Sequence, residues 1–150
     1  MDELTGSMSV LLVEDNEIDV EVTRRVLAQA GTAVALEVAR DGADALDVLL
    51  LGRGRARLPR LVLLDLGLPG VDGPEVLRRI KADAELCAIP VAVLTGQGGN
   101  RAMMECMALG GNMFFVKPMT PAEAARIIAA VEQYWALMEQ LVTRRGQEAA

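Results

Sequence analysis

The chain has 150 residues, 52% of them hydrophobic, a formal net charge of −6 and a pI near 4.7. That size suits a single domain with its own core. The acidic balance speaks against nucleic acid as a direct partner, and no apolar run is long enough to span a bilayer.

The N-terminal stretch MDELTGSM is acidic and lacks the apolar segment of a secretory signal. Residues 1–7 therefore read as a tail, and the protein is expected in the cytoplasm. Ser9–Val13 (SVLLV) reads as the first strand. In Glu17–Ala30, Val20, Thr23, Val26 and Leu27 fall at helical spacing, and Gly31 stops the helix. Ala33–Val38 is a second strand. Ala43–Leu51 is a second helix, although DALDVLLLG is apolar enough for a strand; the alternation of elements favours the helix. GRGRARLPR (Gly52–Arg60), with four arginines, reads as a solvated connection.

Leu61–Leu64 forms a third strand. Pro74 suits the first turn of a helix over Glu75–Ala82, where its missing N–H costs nothing. Val91–Leu94 is the fourth strand, Arg101–Leu109 a helix stopped by Gly110-Gly111, and Met113–Val116 the fifth strand. Pro121 opens a long last helix. Several strand runs are rich in Val and Leu with little alternation, the pattern of strands buried on both faces of a parallel sheet. Five βα repeats predict an α/β domain with helices on both faces of that sheet. Cys87 and Cys106, the only cysteines, lack CxxC spacing and read as packed free thiols.

Ligands of open parallel sheets bind beyond the carboxyl ends of the strands. SVLLV ends in Glu14 and Asp15, LVLL in Asp65, VAVL in Thr95 and MFFV in Lys117. Three acids, a hydroxyl and an amine therefore share one rim. Two carboxylates about 4 Å apart repel by roughly 4 kcal/mol at an effective dielectric of 20, so the cluster needs a proton or a cation. Histidine is absent, which removes Ser-His and Cys-His nucleophiles and His-based zinc sites. Oxygen-only ligands favour a hard divalent ion, and Mg²⁺ fits best: Glu14, Asp15 and Asp65 would supply carboxylates and Gly67 a carbonyl oxygen. With Lys117 and Thr95 nearby, Asp65 reads as a nucleophile for phosphoryl transfer. A phosphohistidine donor would have to come from another protein; a small acyl phosphate is the other source.

VLLVEDN, LVLLDLGLPGVDG, VAVLTG and FFVKP, in that order, resemble the signature segments of the receiver domain of two-component response regulators. The likeness runs over residues 8–137, leaving 138–150 as an extension of the last helix and a tail. It implies a flavodoxin-like (βα)₅ three-layer sandwich with a parallel five-stranded sheet of order 2-1-3-4-5. By position, Asp65 matches the phospho-acceptor, Glu14 and Asp15 the acidic pair that positions Mg²⁺, Thr95 the switch hydroxyl and Lys117 the family lysine. Lys117-Pro118 matches a peptide bond usually cis, and Phe114 the switch aromatic. Phe114 stands where Tyr is commoner, Gly110-Gly111 where Gly-Ala is usual, and GQGGN after Thr95 is glycine-rich enough to suggest a mobile loop. The implied function is that of a stand-alone response regulator. It would take a phosphoryl group from a sensor histidine kinase, catalyse only its own phosphorylation and dephosphorylation, and signal by protein contact. A phosphorelay shuttle and a phosphate sink are variants. EDNEIDVEVTRRVL, VARDGADAL and the Glu-Gln-Tyr-Trp segment further resemble stand-alone receivers that partner bacterial phytochromes.

MMECM (Met103–Met107) cannot bury every apolar side chain on one face of a short helix, so some should be exposed for a partner or a dimer. Ile127, Val131, Tyr134 or Trp135, Met138, and Leu141 or Val142 carry an apolar stripe beyond the expected core, which predicts a homodimer through the last helix; a frayed tail is the alternative. Two rivals come from other classes. A haloacid dehalogenase-type phosphatase would want an acid where Gly67 stands. A flavin- or nucleotide-binding protein would want a phosphate loop, and no GxxxxGK[ST] is present.

Overall fold

The computed structural model describes residues 7–31, 33–52, 58–67, 72–96 and 100–149. The N-terminal tail, most of the arginine run and the glycine-rich segment after Gly96 lie outside the described residues. Five strands, β1 (Ser7–Val13), β2 (Ala33–Ala39), β3 (Leu61–Asp65), β4 (Val91–Thr95) and β5 (Met113–Val116), alternate with five helices. These are α1 (Glu17–Ala28), α2 (Gly42–Gly52), α3 (Gly73–Ala82), α4 (Asn100–Ala108) and α5 (Pro121–Ala149). All strand pairs are parallel and the order is β2-β1-β3-β4-β5. This is the flavodoxin-like fold, and DALDVLLLG is helical.

The apolar runs of β1, β3 and β4 are explained by two cores. Leu11, Val13, Val62, Leu64, Val91 and Val93 pack with Ala45, Leu49, Val76, Leu77, Ile80 and Cys106 of α2, α3 and α4. Their alternate neighbours Val10, Leu12, Leu61, Leu63, Ala92 and Leu94 pack with Val20 and Leu27 of α1 and Ala124, Ile127 and Val131 of α5. Each strand residue thus faces one layer or the other, as the period-two geometry of a strand requires. The expectation of burial on both faces fails at β2, whose residues alternate between exposed and half-buried up to Ala39, and at β5, which is only partly buried. Both are edge strands, paired on one side only.

Local chemistry sets the helix ends. The Asn16 side chain accepts the Asp19 N–H at the start of α1, and Asp72 accepts that of Glu75 at the start of α3. Thr120 and Glu123 cap α5 reciprocally, at 2.9 and 3.1 Å, just before and after Pro121. After α4, Gly110 has φ +98° and the N–H groups of Gly110 and Gly111 reach Met107 and Cys106 carbonyls, a Schellman ending. A short 3₁₀ turn, Leu86–Ala88, was not foreseen. It turns Cys87 outward, so only Cys106 is the packed thiol expected of both.

Gly111 lies against the ring of Phe114. A Cβ there would come within 2.9 Å of Phe114 Cζ and 3.2 Å of the Cys106 carbonyl oxygen. Gly111→Ala should therefore lower stability by about 1 kcal/mol or more in urea melts, because overpacking forces the ring aside. Adding Phe114→Leu should recover part of the loss.

α5 spans 29 residues, roughly 44 Å at the usual rise. Tyr134 donates its hydroxyl to the Ala88 carbonyl (2.5 Å), and Trp135 its indole N–H to that of Arg60 (2.8 Å). These bonds lie at the amino edge of the sheet. Beyond Val131 the stripe stays half-buried at Tyr134, Trp135 and Met138 and becomes exposed at Leu141 and Val142; Leu137, beside the stripe, is exposed too. On α4, Met104 and Met107 are exposed while Cys106 is buried, as the spacing predicted.

Candidate functional site

The carboxyl edge of the sheet opens into a cavity of about 430 Å³ lined by Glu14, Asp15, Asp19, Asp65, Gly67, Thr95 and Lys117, among others. The order of the strands explains the convergence. β3 lies between β1 and β4, so Asp65 at its end is flanked by Glu14 and Asp15 on one side and by Thr95 on the other. β5 brings Lys117 from beyond β4. Glu14, Asp65 and Thr95 are almost fully buried, whereas Asp15 is exposed.

The Lys117 ammonium lies 2.9 Å from Asp19 Oδ2, 3.2 Å from Glu14 Oε1 and 3.3 Å from Asp65 Oδ1. The Gly67 N–H donates to Asp65 Oδ1 at 3.2 Å, and the Asn16 N–H to Glu14 Oε2 at 3.3 Å. The Thr95 hydroxyl donates to the Gly96 carbonyl, its Lys117 neighbour being joined to it through the backbone: Lys117 N–H bonds the Thr95 carbonyl at 2.8 Å. The Lys117-Pro118 peptide bond is cis.

Six of the seven residues singled out in the sequence line this cavity. Phe114 does not; its half-buried ring packs among the core residues beneath α4. Asp19 was missed. Its only sequence signal is an acid three residues after a capping Asn, which reads first as a helix start.

Burial, together with the hydrogen bond and charge of Asp65, raises the Glu14 carboxyl to about 7, against the opposing pull of Lys117. For Lys117, burial lowers the ammonium, but the bond to Asp19 and the charges of Asp65 and Glu14 outweigh it and hold the group above its usual range. Carboxylate oxygens of Glu14, Asp15 and Asp65 lie within 4.8 Å of one another. That separation and the all-oxygen donor set fit a hard divalent ion.

The pH dependence follows. Glu14's contribution to metal-free stability is full below its unfolded range and is lost as pH rises through about 7. A cation replaces the missing proton. Mg²⁺ should therefore raise the melting temperature more at about pH 8 than at about pH 5.5, since proton and metal compete for the same carboxylates. An equal shift at both values in thermal melts would contradict this.

Fold and pocket together define a receiver-type signalling module. The chain belongs to the response regulator receiver domain family, whose model matches residues 10–131. It is 40% identical over 127 residues to the probable methanogenesis regulatory protein FilR2 of Methanothrix harundinacea, covering 84% of this chain and 82% of that protein. It resembles the solved structure of the bacteriophytochrome response regulator AtBRR with a TM-score of 0.69 and 39% identity, over 85% of this chain and 91% of that one. The Mn²⁺-bound response regulator Rcp1 of Synechocystis matches with a TM-score of 0.65 and 32% identity, over 85% and 94% of the two chains. Receiver domains are signalling proteins rather than metabolic enzymes. Among the described residues, no helix is long and apolar enough to cross a membrane.

Proposed function

We propose that the protein is a response regulator that takes a phosphoryl group onto Asp65 with Mg²⁺ and signals through protein contacts. The observation that carries this is the Lys117 ammonium 3.3 Å from an Asp65 carboxylate that also converges with Glu14 and Asp15. Glu14, Asp15 and Asp65 would hold the metal, with the Gly67 carbonyl as a further ligand. When bound, the ion neutralises the acid cluster and the equatorial oxygens of the transferring group.

An Asp65 carboxylate oxygen attacks phosphorus, forming the new P–O bond. The bond from phosphorus to the donor's histidine nitrogen or acyl oxygen breaks, and its electron pair leaves with the donor. Lys117 balances charge on the phosphoryl oxygens, and Thr95 turns its hydroxyl from Gly96 toward one of them. In hydrolysis a water oxygen attacks phosphorus, the P–O bond to Asp65 breaks and the carboxylate is restored. The water's protons leave with inorganic phosphate and solvent. Phe114 has no hydroxyl to bond, so its part in switching rests on ring packing beside Gly111.

The donor is a phosphohistidine on a sensor histidine kinase, with a bacteriophytochrome as the specific candidate. The likeness to AtBRR supports that pairing. Relay to a further protein and a sink role use the same chemistry. The phosphatase alternative is disfavoured because no second acid stands at Gly67. We assign the receiver to residues 8–137, with 138–150 as an extension, and further propose that two copies pair along α5, where Leu137, Leu141 and Val142 are exposed.

Intact mass after incubation with acetyl phosphate tests the first claim. A single phosphoryl adduct is expected with Mg²⁺ and none after prior chelation; adduct formation regardless of chelation would reject it. Light scattering tests the second: truncation after Leu137 should convert a dimer to a monomer, and an unchanged mass would reject pairing through the overhang.

A further inference from the structure

We infer that Asp19 is a resting-state restraint on Lys117, and that releasing it limits how fast the phosphoryl group is taken up. This rests on the phospho-acceptor reading above. A lysine ammonium has three hydrogens to donate. Lys117 donates two of them, to Asp19 at 2.9 Å and to Glu14 at 3.2 Å, while its ammonium faces Asp65 Oδ1 at 3.3 Å as an ion pair. To move off toward a phosphoryl oxygen on Asp65, the ammonium must lengthen one of the two hydrogen bonds that hold it.

The geometry decides which. Glu14 is 1% exposed and also accepts the Asn16 N–H, so it cannot turn away. Asp65 carries the incoming group. The Asp19 side chain is 38% exposed and can turn to water while its backbone stays fixed, its N–H bonded to Asn16 at 3.0 Å. Asp19 is also outside the trio of acids whose oxygens converge for a cation. A bound metal therefore leaves its charge and its hold on Lys117 in place. Only the phosphoryl group, bringing close to two negative charges, outbids it. Asp19 sits on α1 and Lys117 follows β5, so the release also uncouples α1 from the end of β5.

The test uses Asp19→Ala, Asp19→Glu and Glu17→Gln. Glu17 lies in the same turn of α1, paired with Arg40 rather than Lys117, and reports through-space charge alone. With acetyl phosphate and saturating Mg²⁺, Asp19→Ala should label about two- to fivefold faster than the parent, the range expected for a half-exposed ion pair. Asp19→Glu and Glu17→Gln should stay near the parent rate. Acylation of Lys117 by an amine reagent, followed by peptide mass, reads the tether without phosphoryl chemistry and should also quicken in Asp19→Ala. Equal labelling of Asp19→Ala and parent, or an acceleration matched by Glu17→Gln, overturns the restraint while the phospho-acceptor reading stands. A parent that takes up no phosphoryl group overturns both. Slower uptake with unchanged Lys117 acylation would make Asp19 a structural helix residue and reject the inference.

Discussion

Asp65→Asn is expected to take up no phosphoryl group, and to melt at a higher temperature than the parent when metal is absent. The first outcome follows from the loss of the nucleophilic oxygen anion; an amide does not form the acyl phosphate. The second follows from charge. Asp65 is 4% exposed and shares its surroundings with Glu14 and Asp15. Folding brings these like charges together, and Asn removes one while keeping an oxygen to accept the Gly67 N–H. Relief of about 1–2 kcal/mol is expected, well below the bare Coulomb figure, because the neighbouring Lys117 ammonium and the exposure of Asp15 temper the repulsion. For a domain of this size that is roughly 2–8 °C in melting temperature. Adding Mg²⁺ should close the gap, because the parent gains more from the cation. An adduct on the Asn variant, or a lower metal-free melting temperature, would contradict the assignment.

Lys117→Met should have the opposite effect on the resting protein. Lys117 is the one cation lining the pocket among the described residues, and it faces three carboxylates. Breaking a fully buried pair costs about 3–5 kcal/mol; because the Lys117 side chain keeps 22% exposure, about 2–4 kcal/mol is expected in urea melts. Mg²⁺ should restore much of this by supplying positive charge to the same oxygens. Phosphoryl uptake should fall sharply even where the fold is restored, since the ammonium no longer meets the transferring group. In the Lys117→Met background, Asp65→Asn should stabilise more than it does in the parent, because the two side chains touch and their effects couple. Additive effects would indicate that Lys117 and Asp65 act independently.

Much of this site was legible because it is built from strand ends. A strand in a parallel sheet delivers its next residue to a known edge, so Glu14, Asp15, Asp65, Thr95 and Lys117 declared themselves by position. The strand order came from the family likeness, and the structure has that order. Asp19 was not legible: its contact with Lys117 depends on how α1 lies over the end of β5, nearly a hundred residues away. Cys87 was misjudged because the 3₁₀ turn that exposes it has no apolar period. β2 was misjudged for a different reason. Its AVALEVA is as apolar as a central strand, and only its place at the sheet margin leaves half of it uncovered. The tie of Tyr134 to Ala88 and Trp135 to Arg60 likewise depends on where α5 crosses the loops below the sheet.

β3 has partners along both margins and helices over both faces, and all five of its residues are buried. Its last side chain is thus immobilised before any donor arrives, like an anvil bolted to the bench. If Asp65 is the acceptor proposed above, the entropy of aligning it is settled once, when the chain folds, and not anew at each signalling event. The corollary is diagnostic. A conservative change in Leu61–Leu64, all fully buried, that shifts the backbone slightly should present as a loss of signal in a protein that remains folded.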